Sequence, residues 1–115
     1  MSKVIFTLYI LFWSFIFCEE QLFVDGIEEL PLQSNMRNLN ESLIFFDTNK
    51  GRFIQAKIIG RVNIGKVKEF YDKILPNLGW EPIQKNRFER KSEFLDIKYY
   101  KLKESSIVEF NIKPK

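Results

Sequence analysis

A helical period runs through one stretch of this chain, and the rest must be built around it. From Ile64 the apolar residues fall at 64, 67, 70, 71, 74, 75 and 78. Spacings of three and four place them on one stripe of an amphipathic helix. Lys66, Lys68, Glu69, Asp72 and Lys73 fall on the wet side. Asn63 stands where an N-cap belongs. Pro76 lies in the last turn, where a missing N–H is most easily tolerated. Gly79 is a natural left-handed residue after the helix end, and Trp80 follows at the position that packs back on Leu75. A single amphipathic helix cannot bury its stripe alone, so the flanking segments must supply a second layer.

Those segments read as strands. LIFFD (43–47) is a short apolar strand, TNKG (48–51) a turn, and RFIQAKIIGRV (52–62) alternates. Ile54, Ala56, Ile58 and Val62 share one face of it, and the pair reads as a hairpin. After the helix, WEPI (80–83) leads through Lys85-Asn86 to RFERK (87–91), then EFLDIKYYKLK (93–103) and SIVEFNIK (106–113). In the last, Val108, Phe110 and Ile112 alternate with Glu109 and Asn111. The order β-β-α-β-β-β-β predicts an α+β fold: one antiparallel sheet of about five to six strands, with the helix on one face. The opposite face is more apolar than solvent exposure favours, because Phe94, Tyr100 and Leu102 point there beside Lys98, joined by Phe53 and Ile59. This surface is the candidate partner site, unless part of it is covered by the preceding arm.

The first eighteen residues, MSKVIFTLYILFWSFIFC, have another use. Lys3 precedes an apolar run from Val4 to Phe17, and Glu19 and Glu20 follow at once. A short basic start and a run of about 7–15 apolar residues mark a secretory signal peptide. The run falls short of the roughly 20 residues that span a bilayer comfortably. Three fates are open: cleavage after Cys18, lipidation of Cys18, or retention as a membrane anchor. Residues 19–41 then form an acidic extended arm, with six carboxylates against Arg37 alone, and 42–115 a basic domain, with sixteen Lys and Arg against nine Asp and Glu. Leu22, Phe23, Ile27, Leu30 and Leu32 are the arm's means of docking on the domain.

The inventory narrows the chemistry. The 115 residues include no His and one Cys, Cys18. His-based triads and His/Cys zinc sites are excluded, and no cofactor or metal set is visible. GRVNIGKV (60–67) is one residue from a P-loop, with a strand before it and a helix after. Val67, at a core-facing position, replaces the hydroxyl that would hold magnesium, and no acidic second motif follows. The segment reads as a strand end, a cap and a helix start, so no nucleotide is expected.

Phe70-Tyr71-Asp72-Lys73-Ile74-Leu75-Pro76-Asn77-Leu78-Gly79-Trp80 reads F-Y-x-x-x-L-P-x-x-G-W. It resembles a pattern in small, uncharacterised exported proteins of alphaproteobacterial type. Pro31-Leu32, Phe46-Asp47-Thr48, Gly51-Arg52 and Arg87-Phe88 extend the likeness over residues 30–113. The resemblance implies an exported α+β domain and assigns no activity. The motif is also explained by packing, with Phe70, Tyr71 and Leu75 inward and Gly79-Trp80 as the cap.

Three functions follow as expectations. The first is a non-enzymatic binding or structural module of the cell envelope, periplasmic, secreted or membrane-associated through residues 1–18, whose partner is an unknown protein or envelope component. The second is a basic surface for an anionic partner, a lipid headgroup or polyanion. There Lys98, Lys101 and Lys103 interleave with Tyr99 and Tyr100, the mix that single-stranded nucleic acid binders use, although export argues against nucleic acid. The third is an enzyme using Asp96 and Glu109 as paired carboxylates. The excess of cations argues against it, because each carboxylate has lysines to meet, and no enzyme activity is expected.

Overall fold

The computed structural model describes residues 22–115; residues 1–18, read above as a signal peptide or membrane anchor, and with them Cys18, lie outside the described residues. Among the described residues, seven strands form one open antiparallel sheet: β1 (Met36–Asn38), β2 (Ile44–Thr48), β3 (Gly51–Gly60), β4 (Glu81–Gln84), β5 (Arg87–Arg90), β6 (Glu93–Leu102) and β7 (Ser105–Pro114). The helix α1 (Ile64–Asn77) stands between β3 and β4. The spatial order is β1-β3-β7-β6-β5-β4, with β2 also paired to β3. β1 pairs with residues 58–60 of β3 and β2 with 51–55, so the two short strands follow one another along a single edge. From β3, α1 carries the chain to the far edge, and β4 through β7 return as a meander. The expected α+β architecture is the one observed, with a higher strand count.

Local chemistry fixes the helix ends. The Asn63 side chain accepts hydrogen bonds from the Gly65 and Lys66 amides at 2.9 and 3.3 Å, satisfying donors that the first turn leaves free. At the other end the Trp80 amide donates to the Leu75 carbonyl and the Gly79 amide to that of Pro76, both at 3.1 Å. This is a Schellman cap, and Gly79 takes its left-handed conformation at φ 91°. The cap links the backbones of Leu75 and Trp80, and both side chains are fully buried in the same core.

The inner face of the sheet is apolar across its width. Ile54, Ala56 and Ile58 of β3, Val108, Phe110 and Ile112 of β7, Leu95 and Ile97 of β6, and Phe88 of β5 are all buried. Val67, Tyr71 and Leu75 from α1 cover part of it. The arm covers more: Val24, Ile27 and Leu30 are buried in the same cluster, while Leu22 and Phe23 remain exposed. Residues 22–33 therefore share the inner face with the helix and do not shield the outer one. Their burial follows from geometry, because one helix about 10 Å wide cannot roof six strands spaced roughly 4.8 Å apart.

The segment expected to be loop also contributes β1. Its signal is weak because only Met36 of the three residues is buried and apolar. Gly60 admits it, since a Cβ there would collide with the Asn35 carbonyl. Asn38 then pins the arm: its side chain accepts from the Asp25 amide at 2.9 Å and donates to the Phe23 carbonyl at 3.0 Å.

The contrast between arm and edge gives a test. Leu30→Ala removes a fully buried side chain and is expected to cost about 2–5 kcal/mol. Phe45→Ala, on the exposed strand β2, is expected to change stability by less than about 0.5 kcal/mol. Urea denaturation of both variants checks this; equal, small effects would mean that the arm is not part of the core.

Candidate functional site

The outer face carries the residues singled out from sequence, and its register sets their neighbours. One row across the sheet runs Gln55–Asn111–Asp96–Arg87, the next Lys57–Glu109–Lys98, and the next Ile59–Ile107–Tyr100. The middle of this face is ionic. Arg87 donates to both oxygens of Asp96 at 2.6 and 3.1 Å, and Lys113 approaches the same carboxylate at 3.8 Å. Glu109 lies 3.7 Å from Lys57 and 3.8 Å from Lys98, and accepts from the Asn111 side-chain Nδ2 at 2.9 Å.

Asp96 and Glu109 thus meet cations and not each other. Asp96 stands opposite Asn111, and Glu109 opposite Lys98. The hydrogen bond from Arg87 holds the Asp96 carboxyl below its ordinary value, outweighing the opposing effect of partial burial. A carboxylate held this way stays ionised near neutral pH, so Asp96 is a poor proton donor. Among the described residues, no group of three His, Cys, Asp or Glu side chains is placed to hold a metal ion.

The sequence-selected surface is spread along β6. Phe94 is half-buried, with the Arg87 guanidinium 5.0 Å and the Lys115 ammonium 5.8 Å from its ring centre. Lys98 is exposed and paired to Glu109. Tyr100 and Leu102, 40% and 58% exposed, lie toward the far end. Eight residues of strand, about 27 Å at the usual rise, separate Phe94 from Leu102, with the ionic rows between them. The four residues share a face without forming one contiguous apolar patch.

The motif residues form the structural core of the molecule. Tyr71 is fully buried; its hydroxyl donates to the Pro31 carbonyl at 2.9 Å and accepts from the Gln33 amide at 3.2 Å. Its ring meets Phe110 and Phe70 edge-on at 5.1 and 4.9 Å. Burial raises the Tyr71 phenol well above its ordinary value, so it remains a neutral hydrogen-bonding group. Asn63, Pro76 and Gly79 shape the two ends of the helix. Arg90 secures the C-terminal end: it lies over the Trp80 ring at 4.3 Å, donates to the Leu78 carbonyl at 3.0 Å and binds Glu29 of the arm at 2.7 Å. In GRVNIGKV, Val67 is fully buried, and Asn63 already occupies the amides of Gly65 and Lys66.

The densest exposed apolar surface among the described residues is elsewhere. Leu43, Ile44, Phe45 and Phe46 are 43%, 51%, 54% and 52% exposed. Ile44 and Phe46 continue the outer face, where Phe46 stacks on Phe53 at 5.0 Å. A shallow apolar recess lined by Ile44, Phe46, Phe53, Gln55, Asn111 and Lys113 lies beside them. Leu43 lies against Gly26 of the arm. The signal for this surface was present in sequence as four consecutive large apolar residues, but an apolar run does not reveal whether its strand lies at the centre or the edge of a sheet.

Compared with protein-family models, with curated proteins and with solved structures, the chain matches none of them. Among the described residues, no helix is long and apolar enough to cross a membrane.

The ion pair makes a pH prediction. A carboxylate whose pKa is lowered in the folded state adds stability above its unfolded value, and that stability is lost as pH falls through the folded value. Asp96 should therefore contribute fully above about pH 4 and progressively less in more acidic solution. Carboxyl NMR titration of Arg87→Met should show Asp96 moving up toward its ordinary value; an unchanged titration would contradict the assignment.

Proposed function

We propose that this protein is an exported, non-enzymatic binding module of the cell envelope that works through the apolar surface on β2. The observation carrying this reading is the run Leu43–Phe46, four large apolar side chains each about half exposed at the start of β2 on the sheet edge. Ile44 and Phe46 stand on the outer face and Phe45 on the inner, so this edge exposes apolar surface on both sides, and exposed apolar surface gathered in this way marks an interaction site. The ion-paired state of Asp96 and Glu109 supports a binding role over acid–base chemistry. Export is supported by the leader-like residues 1–18, with the acidic stretch after Cys18 as a spacer or arm.

A photo-crosslinking residue at position 45 tests the contact in the full chain within its native envelope fraction. Position 45 is expected to give a covalent adduct, and Lys85, at the turn after β4, none. Absence of an adduct at position 45 would contradict the proposal. Intact mass of the same material separates a soluble chain starting at Glu19 from a membrane-tethered one that keeps Cys18. A chain found only in the cytoplasm with residues 1–18 intact would contradict export.

A further inference from the structure

The cations of the sheet are held differently along its length. Arg52, Lys57, Arg87, Lys98, Lys113 and Lys115 each meet a carboxylate. At the end where β3 finishes and β6 turns into β7, this pairing stops. Arg37, Arg61, Lys101 and Lys103 are all exposed there, and none forms an ion pair among the described residues. The register gathers them: Arg37 faces Ile59, Gly60 faces Ser106, and Ser106 faces Lys101. Four neighbouring strands, β1-β3-β7-β6, thus carry the group across about 14 Å. Two recesses meet at Arg61. Arg37 and Ser105 line one, while Asn63, Lys101 and Lys103 line the other, where Glu104 is the one carboxylate of either. Asn63 also begins α1, whose first turn holds no acid, so the positive end of the helix dipole adds to the same potential.

An apolar tip stands among these cations. Leu102, between Lys101 and Lys103, is 58% exposed, the most of any large apolar side chain in the strands, and Tyr100 beside it is 40% exposed. We propose that this end of the sheet docks on an anionic lipid bilayer. Arg37, Arg61, Lys101 and Lys103 meet the phosphate headgroups, Leu102 enters the interface, and the Tyr100 ring lies at headgroup level. Cations and apolar surface act together in such binding, the first through attraction to anionic lipid and the second through burial. A single-stranded nucleic acid fits less well, because it needs stacking platforms. Of the lysines and tyrosines interleaved along β6, Lys98 is held by Glu109, and Tyr99 lies on the inner face with the Lys68 ammonium 5.9 Å from its ring centre. Leu102, the most exposed of the group, offers a base nothing to stack on. The proposal stands apart from the β2 contact: β2 pairs with residues 51–55, at the other end of β3, so docking leaves it clear of the lipid.

The test measures binding of the protein, purified from the cells that make it, to phosphatidylcholine vesicles with and without phosphatidylglycerol. Residues 1–18, where retained, would bind both kinds, so the readout is the ratio of the two affinities. That ratio is expected to favour the anionic vesicles and to fall with added salt. Replacing Lys101 and Lys103 together by Gln should lower it about 30-fold, at about fivefold for each basic residue near the surface. Lys50 and Lys91, exposed and unpaired at the turns of the opposite end, remove the same charge when replaced by Gln. That pair should change the ratio by less than about threefold. Leu102→Trp gives a signal that does not rely on a loss: its emission should move to shorter wavelength on anionic vesicles. No preference for anionic vesicles would overturn the proposal, as would equal losses in the two double variants, which would reduce it to net charge. Binding of heparin with no shift at position 102 on vesicles would assign the cations to a soluble polyanion and overturn it too. None of these results touches the crosslink at position 45, so the two readings fail separately.

Discussion

The structure depends on how a wide apolar sheet face is covered when the described residues supply one helix, and the Tyr71 phenol is where that is settled. Its ring sits between helix and sheet, edge-on to Phe110, while its hydroxyl holds Pro31 and Gln33 of the arm. Helix, sheet and arm therefore meet at one buried side chain. Net hydrogen bonds are worth only about 1 kcal/mol each, so the larger gain is burial of Val24, Ile27 and Leu30 that the anchored arm permits. Arg90 repeats the arrangement at the other end, joining Trp80, the helix terminus and Glu29. Burial alone pushes the Glu29 carboxyl up, but the hydrogen bond and charge of Arg90 bring it below its ordinary value.

Covering the inner face with the arm leaves the outer face to protect itself. It does so in the middle with ion pairs, where Asp96 and Glu109 gather Arg87, Lys113, Lys57 and Lys98. These partly exposed pairs add little stability individually. They keep the centre of a broad strand surface polar and push apolar exposure to the margins, at Tyr100 and Leu102 on one side and β2 on the other.

Much of the fold was legible because its signals are local. The helix could be read with both ends, since Asn63, Gly79 and Trp80 act within a few residues of one another. β3, β6 and β7 were legible from alternation, and the inward positions Ile54, Ala56, Ile58, Val108, Phe110 and Ile112 are buried. The arm was harder: Ile27 and Leu30 could be named as docking residues and are buried, whereas Val24 sits among acids and turn residues and gains its place from distant partners. β1 was invisible for the same reason: three residues cannot show a period. For the candidate site, sequence could assign Phe94, Lys98, Tyr100 and Leu102 to one face, but not the cations beside Phe94 or the ionic rows that divide the four. LIFF could be recognised as strand-forming, whereas its exposure is decided by topology, with β7 taking the other side of β3.

Hydrogen–deuterium exchange resolved to single amides tests the central claim most directly, that the arm completes the core. The amides of Val24 and Leu32 donate within the arm, to the carbonyls of Leu30 and Leu22, at 2.9 Å each. If arm, helix and sheet form one cooperative unit, these amides exchange through the same global opening as those of β7. Their protection should then lie within about tenfold of that of Val108 and Phe110. Arm amides that exchange freely while β7 stays protected would show an arm that leaves the sheet face readily, and would contradict the account.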